Sequence, residues 1–270
     1  MAMDWSVVPI YVALGAFVGF LAGLLGIGGG FTIVPVLSEI FGHEGFGREH
    51  LLPLAIGTSA ASIVFTAFAS ARAHHQHGAV EWNIVWPMAP GLAVGALIGP
   101  QIAAVLPARV LAAIVGGFTW FAAIRMLSSR PPRTVRDRPD RVVFFLAGAG
   151  IGMIAGMVGT GGAFLAVPFM VRYNVKVHSA VATSAAIGWP VAVVSTLSFV
   201  WAGLRQADLP QYSIGYVYLP ALAGIVVASI LMAPIGARVA HTWPVSRLRR
   251  SFSALLFVLG GFMLWRAIHG

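Results

Sequence analysis

Two glycine clusters carry the chemistry open to this chain: Gly23-x-x-Gly26-x-Gly28-Gly29 and, further on, Gly156-x-x-Gly159-x-Gly161-Gly162. An apolar stretch with a proline at the same place, Pro35 or Pro168, follows each cluster. Consecutive glycines let the backbone leave a helix and aim several N–H groups at one spot, and the N-terminus of the next half-helix adds a positive dipole end. The result is a cradle for an anion. Exposed N–H groups persist at membrane depth only where they are buried in protein or line a wet cavity, so each break marks a site or a pathway.

Not every glycine in these windows serves a site. Gly15, Gly19 and Gly23 are four apart, as are Gly148, Gly152 and Gly156, and again Gly91, Gly95 and Gly99. That spacing is the mark of close helix packing in a membrane. It stops at Gly26, Gly28 and Gly29 and at Gly159, Gly161 and Gly162, which remain as site candidates together with Thr160. A nucleotide fingerprint is excluded, because the clusters lie between hydrophobic helices and lack both the P-loop lysine and the spacing of a dinucleotide turn.

The hydroxyl pairs Thr58-Ser59 and Thr183-Ser184 sit in apolar stretches at matching places, in Ala55-Ile-Gly-Thr-Ser-Ala-Ala61 and Ala180-Val-Ala-Thr-Ser-Ala-Ala186. They can donate to a bound anion or bond their own helix carbonyls, and their recurrence favours neither role over the other. Trp189, close in sequence to Thr183, completes the candidate substrate-binding set. The acidic residues are informative by where they lie: Asp4, Glu39, Glu44, Glu49, Glu81, Asp137, Asp140 and Asp208 all fall at segment ends or in loops. A cation site or a carboxylate proton relay normally places one at mid-span, so the expected substrate is an anion or a neutral species.

His74, His75 and His77 form the one cluster with metal-like spacing, but they lack a carboxylate or thiolate partner and read as a solvated loop. No catalytic set, metal site or cofactor is expected. With no cysteine, thiolate zinc chemistry is excluded.

These residues are positioned by an almost wholly apolar chain. Of 270 residues 59% are hydrophobic and 9% charged, and several uncharged runs exceed the roughly 18 residues of a membrane helix. The fold class is therefore an all-α polytopic membrane protein. The N-terminal apolar stretch carries Asp4 and no basic region, so it reads as a retained helix and not a cleaved leader. A net charge of +9 in a soluble protein would suggest nucleic acid, but there is no basic stripe interleaved with aromatics. The partners expected are a small anionic substrate and the lipid bilayer, with a homodimer admissible and no nucleic acid.

The chain is doubled. GAFVGFLAGLLGIGGGFTIVPVL, from Gly15 to Leu37, returns 133 positions later as GAGIGMIAGMVGTGGAFLAVPFM, Gly148 to Met170, with 11 identities. Apolar runs and Gly, Pro and charge punctuation predict helices near 6–25, 30–41, 51–72, 82–104 and 108–127, then 142–158, 163–172, 178–202, 212–234 and 249–268. This divides the chain into repeat 1 (1–127), an Arg- and Pro-rich linker (128–141) and repeat 2 (142–270). Five segments per repeat give odd parity, hence two inverted-topology repeats with eight to ten membrane helices and the Gly-broken segments near the repeat interface. A cytoplasmic linker places 13 of 17 basic residues inside and only Arg48, Arg109, Arg205 and Arg266 outside, as the positive-inside rule requires. Both termini are then extracytoplasmic.

At GLLGIGGGFTIVPVL, GMVGTGGAFLAVPFM and the paired TSAA segments, the sequence resembles the TauE/SafE family of sulfite and sulfonate-related permeases. The resemblance implies a bacterial inner-membrane protein that moves small sulfur-containing anions such as sulfite or organosulfonates. The copies differ where Gly30 becomes Ala163 and Ile27 becomes Thr160, so a paired site would be asymmetric. An inside-negative potential favours expulsion of one negative charge by about 2.3 kcal/mol per 100 mV, which suits export without an acidic coupling residue. The rival readings are a transition-metal permease using the histidine loop, an intramembrane enzyme and a non-transporting assembly subunit.

Overall fold

Ten helices and one small hairpin make up the described part of the chain. The computed structural model describes residues 7–25, 30–76, 78–127, 140–240 and 245–269. The first half holds α1 (Val8–Leu25), α2 (Gly30–His43), α3 (Leu51–Gln76), α4 (Trp82–Val105) and α5 (Ala108–Leu127). The second holds α6 (Arg141–Val158), α7 (Ala163–Arg172), α8 (Val177–Gly203), the strands β1 (Ser213–Ile214) and β2 (Val217–Tyr218), α9 (Leu219–Ala240) and α10 (Val245–His269). Six of the helices are long and apolar enough to cross a membrane by length and composition. Large apolar side chains stand exposed around the outside, among them Trp86, Leu146, Leu197 and Val258. Lipid, not water, is the environment such a surface fits.

Most predicted boundaries hold within two residues, but α3 runs on to Gln76 and so takes in His74 and His75, which were expected in a loop. α9 runs to Ala240 and not 234, α10 begins at Val245 and not 249, and the start of α9 needs the largest correction. Residues 212–218 were expected to begin a helix, but Ser213 and Ile214 pair antiparallel with Tyr218 and Val217. Gly215 turns the hairpin in the left-handed region at φ 53°. A side chain at Gly215 would collide with the Val200 backbone. The helix therefore starts only at Leu219, after the chain has folded back onto α8.

The two short helices are alike. α2 has 14 residues and α7 has 10, with Pro35 and Pro168 each inside the helix. At about 1.5 Å per residue neither reaches across a hydrocarbon core of about 30 Å. Each is instead held by its longer successor, α2 against α3 and α7 against α8.

Packing between the halves is crosswise. α1 lies against α9 of the second half, and α6 lies against α4 of the first, while α3 packs on α8 and α5 on α10. The four-spaced glycines form these seams, as their spacing predicts. A Cβ at Gly15 or Gly19 would strike the backbone of Ile225 or Ser229, and one at Gly91, Gly95 or Gly99 would strike that of Phe145, Ala149 or Met153. In the facing direction Gly148 and Gly152 rest on the Met88 and Leu92 carbonyls. Lipid tails are as apolar as leucine, so such close backbone approach, with its dispersion contacts, replaces the hydrophobic effect as the force that joins the helices.

Candidate functional site

The second glycine break is built from residues that only a short side chain or none would permit. α6 ends at Gly159, in the left-handed region at φ 72°, with its N–H donating to the Ala155 carbonyl at 2.8 Å. Gly161 and Gly162 are also left-handed, at φ 70° and 78°, and Gly162 is the N-cap of α7 without a side-chain cap. The first N–H groups of a helix have no carbonyl partner within it, so this uncapped end presents donors and the positive end of the α7 dipole. Glycine adopts such left-handed angles without the Cβ strain that another residue would meet at three of four successive positions.

A cavity of about 50 Å³ opens at this point. One water occupies roughly 10–15 Å³ of such space, so there is room for a few waters or one small polyatomic ion. Its floor is Thr160, Gly161 and Ala163 from the break. One wall is Ile63, Thr66, Ala67 and Ser70 of α3, and the other is Ser184, Ala185 and Gly188 of α8, with Ala22 of α1 closing the ring. No charged residue is among these. The polar side chains are the hydroxyls of Thr66, Ser70, Thr160 and Ser184, of which Thr66 donates to the Ser62 and Ile63 carbonyls at 3.4 and 3.3 Å.

The structure distributes the sequence candidates unevenly. Thr160, Gly161 and Ser184 line the cavity, and Gly159 and Gly162 flank it in the break. Gly26, Gly28 and Gly29 lie outside the described residues. Their neighbour Gly30, the first residue of α2, is described, and a Cβ there would fall on the Gly159 carbonyl and within 2.8 Å of the Thr160 Cα. The start of α2 therefore rests directly on the second break.

The remaining candidates are tied up elsewhere. Ser59 is buried and donates to the Gly159 carbonyl at 3.0 Å, so it supports the break from behind. Thr58 accepts the Tyr218 N–H at 3.0 Å, just before α9, and Thr183 accepts the Glu81 N–H at 2.9 Å, just before α4. Each threonine thus holds the entry to a helix of the other half. Ser184 lines the cavity while donating to the Val181 carbonyl at 2.7 Å. Trp189 is 40% exposed, with its ring 5.6 Å from that of Phe68, and does not line the cavity.

Sequence reading missed Thr66, Ser70 and Gly188. Ser59, Ser62, Thr66 and Ser70 recur at helical spacing along one face of α3, a polar stripe visible in the sequence once α3 is known to face a cavity. Gly188 brings α8 close, since a Cβ there would lie 3.1 Å from the Gly161 carbonyl. In the first turn of α2 the hydroxyl of Thr32 is buried with no hydrogen-bond partner among the described residues.

The histidine cluster takes another course. His75 accepts a hydrogen bond from the Trp82 indole at 3.3 Å, and His77 lies outside the described residues. Among the described residues there is no group of three side chains placed to hold a metal ion.

Comparison with known proteins agrees with this architecture. The family model described as Sulfite exporter TauE/SafE matches residues 11–263. A probable membrane transporter protein of Haemophilus influenzae is 32% identical over 256 residues, covering 94% of this chain and 97% of the relative. Another of Methanocaldococcus jannaschii is 28% identical over 262 residues, covering 95% of each. A third, of Bacillus subtilis, is 23% identical over 84% of this chain and 87% of its own length. No solved structure matches the chain. A polytopic helical protein, matched over nearly its full length by transporters and not by enzymes, is a multi-pass membrane transporter, and this chain belongs to the TauE/SafE sulfite exporter family.

Proposed function

We propose that this transporter moves a small sulfur-containing oxyanion, sulfite or an organosulfonate, through the cavity at the second glycine break. The observation that carries the reading is the uncharged, hydroxyl-bearing cavity at the start of α7, a helix end with no side-chain cap. A tetrahedral or pyramidal oxyanion offers several acceptors to amides and hydroxyls that converge there, whereas a metal ion would find no carboxylate, imidazole or thiolate among the lining residues.

The halves act as inverted repeats in a bacterial inner membrane, with repeat 1 at 1–127 and repeat 2 at 142–270. The charge distribution of the sequence supports this orientation, and the exchange of partners between α1–α9 and α6–α4 is what a two-fold relation between halves would produce. On that orientation the cavity opens among the cytoplasmic halves of α3 and α8. Toward the other face stand the buried rings of Phe199, Tyr216 and Tyr218. Access from the cytoplasm and closure outward suit a carrier that loads inside and releases outside. Alternating access then requires the halves to rock about the break, and the membrane potential favours export of the anion.

The experiment is flux from sealed proteoliposomes with sulfite, sulfate, thiosulfate and C2 sulfonates, with and without proton or sodium gradients. Saturable movement of sulfite or a sulfonate, lost in Gly161→Leu protein that inserts normally, is the expected result. Wild-type rates in Gly161→Leu protein sink the assignment of the site. Transport of a transition metal that disappears when His74, His75 and His77 are all replaced sinks the assignment of the substrate.

A further inference from the structure

A second cavity, distinct from the site above, lies on the outside of the helical body between α3, α8 and the hairpin that leads into α9. It has a volume of about 310 Å³, and the surface it exposes is apolar. Val64 and Phe65 of α3, Leu197 and Val200 of α8, and Ile214 and Leu219 beside the hairpin form its walls. The one hydroxyl along it, Thr196, donates to the Ala192 carbonyl at 2.7 Å and is already satisfied within its own helix. α3 and α8 are among the helices fit to cross the membrane, so this groove runs at bilayer depth.

One end of the groove is chemically different. Leu197, Trp201 and Arg205 follow one another at four-residue spacing from α8 into the turn after it, so they share a face. Trp201 is 60% exposed, and the guanidinium carbon of Arg205 stands 5.5 Å above the centre of its ring. Arg205 is itself exposed. An indole beside a guanidinium at the end of a membrane-spanning helix suits a phosphodiester, and the apolar trough next to it suits an acyl chain. The trough exposes 62% of Leu197, 47% of Phe65 and 49% of Ile214, surface that only hydrocarbon covers without cost.

We infer that the α3–α8–hairpin groove is a phospholipid-binding site, with one acyl chain in the trough and the headgroup phosphate on Arg205. The occupant is a membrane lipid, because the groove is apolar along its length and ends at an exposed guanidinium stacked on an exposed indole, the pairing of hydrocarbon and cation that an acyl chain and its phosphate match. The lipid lies along α8 beside the hairpin, whose backbone packs directly on α8 where Gly215 meets Val200. Both helices that form the trough also wall the oxyanion cavity, so lipid occupancy bears on the two walls that any rocking motion must move.

The test uses the full chain in vesicles of phosphatidylcholine and phosphatidylglycerol containing a trace of phosphatidylglycerol with a photoactivatable group in one acyl chain, with cross-linked peptides mapped by mass spectrometry. Labelling is expected to concentrate on peptides containing Phe65, Leu197 and Ile214. In Arg205→Gln protein that elutes and melts like wild type, labelling of those peptides is expected to fall about fivefold, the loss of one favourable phosphate contact at the membrane surface. Leu197→Trp is expected to reduce it further by occupying the trough. Labelling spread evenly over other exposed apolar positions, such as Leu146, Leu231 and Val258, overturns the proposal, as does an unchanged pattern in Arg205→Gln. Cross-links from the trough to a second copy of the chain overturn it in favour of a dimer interface.

Discussion

The Ser59 hydroxyl donates to the Gly159 carbonyl at 3.0 Å across 100 positions of sequence, joining the hydroxyl pair of one half to the glycine break of the other. The break is therefore not a free loop. Its Gly159 carbonyl is held by α3, while the Gly159 and Thr160 N–H groups donate back to the Ala155 carbonyl at 2.8 and 3.2 Å, so the break is held from both sides.

Ser59→Ala removes that donor and leaves a buried carbonyl short of a partner, a loss of about 1–3 kcal/mol. The expected outcome is a lower melting temperature together with slower flux. Ser59→Thr, which keeps the hydroxyl, is expected to restore part of both. Thermal unfolding in detergent and vesicle flux on the same preparations measure the two.

Thr58→Val and Thr183→Val act differently, because these hydroxyls accept the Tyr218 and Glu81 N–H groups at the entries to α9 and α4. Each is expected to destabilise by about 1–3 kcal/mol while leaving the substrate concentration for half-maximal flux unchanged. A clear rise in that concentration returns the threonine to the substrate site.

Gly161→Ala places a Cβ at φ 70° and 3.1 Å from the Ile63 methyl, inside the cavity. The backbone strain alone is about 1–3 kcal/mol, and flux is expected to collapse. Gly117→Ala is the matched control, since nothing lies within 4 Å of its Cβ position, and it is expected to transport normally.

Thr160→Val and Ser70→Ala alter cavity hydroxyls without touching the glycine geometry. Loss of a hydrogen bond to a charged ligand corresponds to about 1.5–3 kcal/mol. The expected signature is therefore a rise of one order of magnitude or more in the half-saturating anion concentration, with protein yield and melting temperature near wild type. Flux titrations with the anion identified in the substrate screen give the measurement.

The helices were legible because a bilayer imposes its period and length on the sequence: apolar runs bounded by Gly, Pro and charge gave most boundaries. The hairpin was not. Residues Ser213 to Leu219 read SIGYVYL, an apolar string as compatible with a helix as with strands, and only the packing of Gly215 on the Val200 backbone decides between them. The packing role of the four-spaced glycines was readable from spacing alone, because close approach is a property of one helix face. Roles that depend on a partner far along the chain were not. Nothing near Thr58 or Thr183 in sequence announces that Tyr218 or Glu81 will stand opposite. Thr66 and Ser70 carry no repeat signal, because the first repeat's hydroxyl stripe has no full counterpart on α8.

The crosswise seams also set a schedule for biosynthesis. α1 enters the bilayer long before α9, the helix whose backbone its glycines fit. Until then the Gly15–Gly19 face has only lipid against it, and so does the matching face of α4 until α6 emerges. A chain stalled or truncated before α9 would present an unfilled glycine seam to the membrane.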